Sequence, residues 1–246
     1  MAPPFLEVTD LACRRGGRRV FDHLSFALGA GELLALTGRN GSGKTTLLRA
    51  LALLVRPDAG AVRWQGADIR AEPETWRGRL AWLGHLEGLK GDLSVRENLL
   101  VAERLRGAPP AEDRLDGALL AFDLAALAVR PVRTLSAGQR RRVALARVVL
   151  TQAPLWLFDE PLNALDAPAQ ATFRSVLQHH LAAGGLAIAA THADLGMPSA
   201  RVLGLGATQS CSSPPPGGEE YEAGERRKTR HFSAEVTPRA VARSQR

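Results

Sequence analysis

Gly38-Arg39-Asn40-Gly41-Ser42-Gly43-Lys44-Thr45 sets glycines at both ends of a short loop ahead of a lysine and a hydroxyl residue. That spacing suits phosphate. A glycine-rich turn leaves backbone N–H groups free to close on phosphate oxygens, and a helix starting at Lys44 adds partial positive charge. Lys44 is then expected on the β- and γ-phosphates and the Thr45 hydroxyl on magnesium, with Thr46 in the same phosphate-facing turn. Farther along, Leu155-Trp156-Leu157-Phe158 runs into Asp159 and Glu160. Parallel α/β sheets collect ligands at the carboxyl ends of their strands, so Asp159 is expected to help hold magnesium. Glu160, one residue on, is the candidate general base for an attacking water. Taken alone, the acidic pair ahead of Pro161 reads equally well as an exposed turn; the loop upstream tips the reading toward catalysis.

Positioning these groups needs a particular frame. Residues 5–11 and 20–28 read as strands, with the basic run 14–19 as a solvated hairpin tip. An apolar run over 32–37 reads as a buried strand, and Leu47, Leu48, Ala50, Leu51 and Leu54 then recur at helical spacing until Pro57 and Gly60 interrupt. Strand, glycine loop and helix thus follow in the order the phosphate chemistry requires. Residues 94–129, rich in Ala and Leu and broken by Gly107-Ala-Pro-Pro110, read as a small helical insert. Helix over 137–150, strand over 155–158, helix over 167–183 and strand over 186–190 complete an alternation typical of a mainly parallel sheet flanked by helices. His179 and His180 are read as solvated helix residues.

The 246 residues, 45% apolar, suffice for one large domain with a subdomain. A net charge of +7 favours an anionic partner without choosing among nucleotide, acidic lipid and nucleic acid. Cys13 and Cys211 lack metal or haem-attachment spacing, so neither a disulfide framework nor a cysteine zinc site is indicated, and a reducing cytoplasm fits best. The first residues lack a signal-peptide pattern, and every apolar run is too short to cross a bilayer. Any membrane association is expected to come through a partner. From Gln209 onward, Ser-Ser-Pro-Pro-Pro-Gly-Gly and mixed charge without apolar periodicity read as a disordered tail.

Leu135-Ser136-Ala137-Gly138-Gln139, followed by Arg140, Arg141 and Arg142, resembles the signature loop of the ATP-binding cassette family, with Ala137 where a glycine is usual. By itself Ser136 could be merely the N-cap of a basic helix. The resemblance implies more. Ser136, Gly138 and Gln139 would cover the γ-phosphate held by a second copy, giving a head-to-tail homodimer with ATP and Mg2+ sandwiched at two composite sites. Leu162-Asn163-Ala164-Leu165-Asp166 looks like the loop linking those sites, and His192 like the switch histidine at the γ-phosphate. The fold implied is α/β, a P-loop NTPase of the ABC ATPase type with an antiparallel β subdomain and a small helical subdomain. The cassette is expected over 1–206, the helical subdomain over about 86–150, and the tail over 207–246.

Over residues 5–206 the chain resembles a narrower group, the ATP-binding subunits of cytochrome c biogenesis, or haem export. Leu83-Gly-His-Leu-Glu-Gly-Leu-Lys90 and Leu135 to Arg147 carry the likeness most clearly, with Leu11 to Arg19. His85 stands where most cassettes carry a glutamine that senses magnesium and water. It is therefore a catalytic candidate, the alternative being a loop histidine without a catalytic part. Arg15 stands where many cassettes stack an aromatic ring on adenine; a guanidinium plane can stack there too. The resemblance implies membrane-spanning partner subunits, peripheral attachment at the cytoplasmic face of the bacterial inner membrane, and no nucleic-acid partner. A transporter for another substrate and a nucleotide-gated nucleic-acid or ribosome-binding module remain the rival readings.

Overall fold

The computed structural model describes residues 5–105 and 112–206, with the backbone of 237–238. The Gly107–Pro110 breaker and, apart from that dipeptide, the expected disordered tail lie outside the described residues. The elements run β1 (Leu6–Arg15), β2 (Arg18–Leu28), β3 (Leu33–Thr37), α1 (Lys44–Leu51), β4 (Ala59–Trp64), β5 (Ala67–Asp68), α2 (Pro73–Gly78) and β6 (Leu80–Leu83). There follow α3 (Val95–Arg104), α4 (Glu112–Ala121), α5 (Ala137–Leu150), β7 (Leu155–Asp159), α6 (Ala167–Ala182), β8 (Leu186–Ala190), β9 (Arg201–Gly204) and β10 (Thr237–Pro238).

Two sheets result. The first, ordered β2-β1-β4-β5, is antiparallel; the second, ordered β10-β9-β3-β8-β7-β6, is parallel from β9 to β6, with β10 antiparallel to β9 at its edge. The hairpin tip is tighter than its charge suggests. Arg15 pairs with Arg18, and only Gly16 and Gly17 turn, at φ 53° and 75°. A two-residue turn with both φ positive matches strand twist, so exposed arginines can stay in the ladder to its end. Leu54, expected within the first helix, lies past its end and is exposed.

Alternation along the central strands divides the core. Leu34, Leu36, Leu155, Leu157, Leu186, Ile188 and Ala190 face α1 and the antiparallel sheet, where Leu47, Leu48 and Leu51 also pack. Leu33, Trp156, Phe158, Ala187 and Ala189 face α3, α4, α5 and α6. This is the period of two expected of a sheet covered on both sides. Phe158 meets Phe173 of α6 edge-on at 5.3 Å, a geometry worth about 0.5–1.5 kcal/mol beyond burial.

His180 departs from the solvated reading. Its ring stacks on Trp156 at 3.7 Å and 5°, its Nε2 lies 3.1 Å from the Leu186 carbonyl, and burial pushes its pKa down. The indole supplies a flat apolar partner that helical periodicity alone does not reveal; His179 is exposed as expected.

Candidate nucleotide-binding site

Strand order assembles the first cluster. Because β8 lies between β3 and β7, Leu36, Ala190 and Asp159 stand side by side in register. The loops leaving β3, β8 and β7 therefore emerge together, carrying Gly38 to Thr45, His192, and Asp159 with Glu160.

The loop after β3 is shaped by its glycines. At Gly38, φ 135°, an added Cβ would fall 2.3 Å from the Leu205 carbonyl oxygen. At Gly43, φ 104°, it would fall 2.5 Å from a Val20 methyl. Side chains are thus excluded from two corners, and the loop curls over Lys44. That residue is 8% exposed and donates from Nζ to the carbonyls of Gly38 at 2.6 Å and Arg39 at 3.2 Å. Gly43 begins α1 without a capping side chain, leaving the helix's first N–H groups to face the loop's hollow. Ser42 Oγ is buried with no hydrogen-bond partner among the described residues. Arg39, Asn40 and Gly41 form the exposed rim, and Thr45 and Thr46 lie half-buried in the first helical turn.

Thr45 Oγ1 donates to Asp159 Oδ2 at 2.9 Å, joining the helix start to the buried end of β7. His192 Nε2 lies 3.0 Å from Asn40 Oδ1, 3.3 Å from Lys44 Nζ and 3.7 Å from Glu160 Oε1. One ring nitrogen cannot donate to oxygens and accept from an ammonium at once, so this junction has two alternative hydrogen-bond arrangements. Glu160 has φ 52°, a left-handed backbone costing a non-glycine residue about 1–3 kcal/mol. Such strain persists where neighbours fix the chain, and Glu160 N–H donates to the Ala190 carbonyl at 2.8 Å.

Ser136, Gly138, Gln139 and Asp166 gather elsewhere. With Arg142, Ala164, Leu165 and Ala169 they line a polar recess of about 250 Å³ whose lining includes no residue of the first cluster. The N-cap role weighed for Ser136 is present: its Oγ accepts from Gln139 N–H at 3.2 Å, while Gln139 Oε1 accepts from Ser136 N–H at 2.9 Å. Asp166 likewise caps α6, accepting from Ala169 N–H. Both helices present polar N-termini to the recess. His85 is exposed after β6 and, among the described residues, makes no side-chain hydrogen bond to either group. Arg15 is exposed at the hairpin tip.

Sequence reasoning missed Arg141. The run Arg140-Arg141-Arg142 reads only as the start of a basic helix, with no role given to its members, yet Arg141 is 4% exposed. The available signal was helical spacing: 141, 144, 145 and 148 share one face, and the other three are apolar.

Residues 21–163 match the ABC transporter family. A cytochrome c biogenesis ATP-binding export protein, CcmA, of Rhodospirillum rubrum is 48% identical over 204 residues, which cover 83% of this chain and 87% of that protein. The protein of the same name from Cupriavidus necator is also 48% identical, over 83% of this chain and 89% of its own length. A solved structure of an ATP-binding subunit of an ABC transporter superposes with TM-score 0.74 at 26% identity, covering 82% of this chain and 85% of that one. A dimeric ATP-binding cassette bound to ADP and Pi shares the fold, with TM-score 0.71 at 22% identity over 81% of this chain and 94% of its own.

Proposed function

The chain belongs to the ABC transporter family, and from that premise we propose that it is the ATP-binding and ATP-hydrolysing subunit of the membrane complex that exports for cytochrome c biogenesis. The convergence of Asn40, Lys44 and Glu160 on His192 Nε2 carries the hydrolytic part of the reading. Kinship at 48% identity with two cytochrome c biogenesis export proteins supports the setting.

The hollow of Gly38 to Thr46 binds the phosphates through backbone N–H groups, and Lys44 turns its ammonium from the Gly38 and Arg39 carbonyls toward phosphate oxygens. The Ser42 hydroxyl, unpartnered among the described residues, is free for phosphate, and the paired Thr45 and Asp159 oxygens suit a hard cation. Mg2+ held there would neutralise charge on the β- and γ-phosphates. Glu160 accepts the proton of the attacking water, its carboxylate aimed by the strained turn. His192 spans the gap between Glu160 and the phosphate loop and orients the γ-phosphate end of the substrate. His85 senses the state of the site from the loop after β6.

The second recess supplies the other half of the site. Ser136, Gly138 and Gln139 form a helix N-terminus suited to a γ-phosphate, with Asp166 beside it, yet they line a cavity separate from Lys44 and Glu160. A second copy, docked head to tail, brings its recess over this copy's phosphate loop. Closure on ATP and reopening after hydrolysis then move the membrane-spanning partners. Among the described residues no helix is long and apolar enough to cross a membrane; in this reading the chain attaches peripherally at the cytoplasmic face of the inner membrane through those partners. The cassette spans 1–206 with its helical subdomain at about 86–150. Affinity purification of the tagged chain from membranes tests the setting: membrane-spanning subunits should co-purify, whereas recovery of nucleic acid or ribosomes without them would overturn it.

A further inference from the structure

Arg141 points from α5 into the protein and meets four backbone carbonyls. Its Nη2 donates to Asp159 O at 2.9 Å and Glu160 O at 2.5 Å, its Nη1 to Gly84 O at 3.1 Å, and its Nε to Pro161 O at 3.4 Å. Asp159, Glu160 and Pro161 are the end of β7 and the turn that follows; Gly84 precedes His85. One planar guanidinium thus ties the helix that begins at Ser136 to the catalytic turn and to the sensor loop.

A fold-stabilising role accounts poorly for this choice. Among the described residues no carboxylate forms an ion pair with Arg141, and burial pushes its pKa down against the charges of Glu87, Asp159 and Glu160; a buried charge of this kind often gives way to an apolar side chain of similar volume without loss of stability. The fork does offer something an apolar chain lacks, namely fixed orientation of several peptide planes. Glu160 needs such fixing, since its φ of 52° is strained. Its carbonyl is held by Arg141 Nη2 and by Asn163 N–H at 3.2 Å. Farther along the same helix, Arg147 donates to Glu87 O at 2.6 Å and Gly88 O at 2.8 Å, pinning the loop just past His85.

We infer that Arg141 is a positioning residue for hydrolysis: it sets the direction of the Glu160 carboxylate through that residue's backbone and locks it to the loop bearing His85. The inference rests on the reading of Glu160 as general base. It is tested in the full chain with Arg141→Lys, which keeps the charge but loses the fork, and Arg141→Met, which keeps volume and removes the charge. Steady-state kinetics, thermal melting and a fluorescent ATP analogue's binding are read for each, alone and combined with Glu160→Gln.

The expected result is a kcat lowered about tenfold to a hundredfold in both variants, KM and nucleotide affinity within about twofold of wild type, and a folded Arg141→Met protein. Combined with Glu160→Gln, neither variant should lower the residual rate further, because Arg141 acts through the group already removed. Wild-type kcat in both arginine variants overturns the inference, as does an equal fold-loss in the two backgrounds. Wild-type turnover in Glu160→Gln alone overturns the general-base reading and this inference with it, so the two failures are distinguishable.

Discussion

Gly138→Ala sets two physical effects against each other. Gly138 is the second residue of α5, where alanine would favour the helix by up to about 1 kcal/mol. The added Cβ, however, would lie 2.7 Å from the Ala164 carbonyl oxygen, about 0.7 Å short of the 3.4 Å at which ordinary contact begins. The obstacle is backbone. Ala164 sits at φ 63° in a turn closed by Leu165 N–H on the Leu162 carbonyl and by the Asp166 cap of α6. Overpacking of this kind costs about 1–3 kcal/mol, which outweighs the propensity gain. Relief comes from lifting the N-terminus of α5, displacing Ser136 and Gln139 by a similar fraction of an ångström. Misplacement on the order of 1 Å costs about a hundredfold in rate, so turnover should fall about tenfold to a hundredfold. Binding of a fluorescent ATP analogue to the phosphate loop should stay within about twofold, since that loop lies outside the recess. Phosphate-release kinetics and a thermal melt decide it: wild-type turnover together with a melting temperature raised by about 2–4 °C would show that propensity wins and that the recess is not engaged.

Lys44→Ala removes charge-assisted contacts worth about 1.5–3 kcal/mol each, so ATP affinity measured by titration calorimetry should weaken at least about tenfold; unchanged affinity would count against the phosphate loop. Burial holds the His180 imidazole below its ordinary pKa of 6.5, so the unfolded chain takes up that proton first. The stability it contributes is complete above about pH 6.5 and is lost as pH falls below it. His180→Phe keeps the stack on Trp156 without a titrating group, and its melting temperature should fall less than wild type between about pH 7.5 and 5.5; parallel falls would remove His180 from the account.

Much of this architecture is local in the sequence, and what was missed is not. The phosphate loop declares itself because its glycines, lysine and hydroxyls are contiguous, and β7 and β8 because their apolar runs end in chemistry. β4 was read as a break because it begins Ala59-Gly60. That glycine, φ 87°, lies where a Cβ would fall 2.5 Å from the Asp10 carbonyl oxygen, so it permits a close strand crossing with a partner far away in sequence. The Trp156 partner of His180 and the carbonyl cage of Arg141 are likewise supplied by distant segments. His85 sits on a loop gripped by α5 on either side of it, at Gly84 and Gly88, a relation no spacing within the loop encodes. The separation of Ser136 from Lys44 into different hollows was already implied by the likeness of residues 135–139 to a signature loop, and the recess lining contains no residue of the phosphate loop.

The most direct test of the account is the rate of phosphate release by Glu160→Gln alongside ATP binding and the size of the ATP-bound species. The account predicts retained ATP binding, turnover lowered about a hundredfold or more, and an ATP-dependent shift to dimer. Wild-type turnover in that variant, with the chain still binding ATP, would contradict it.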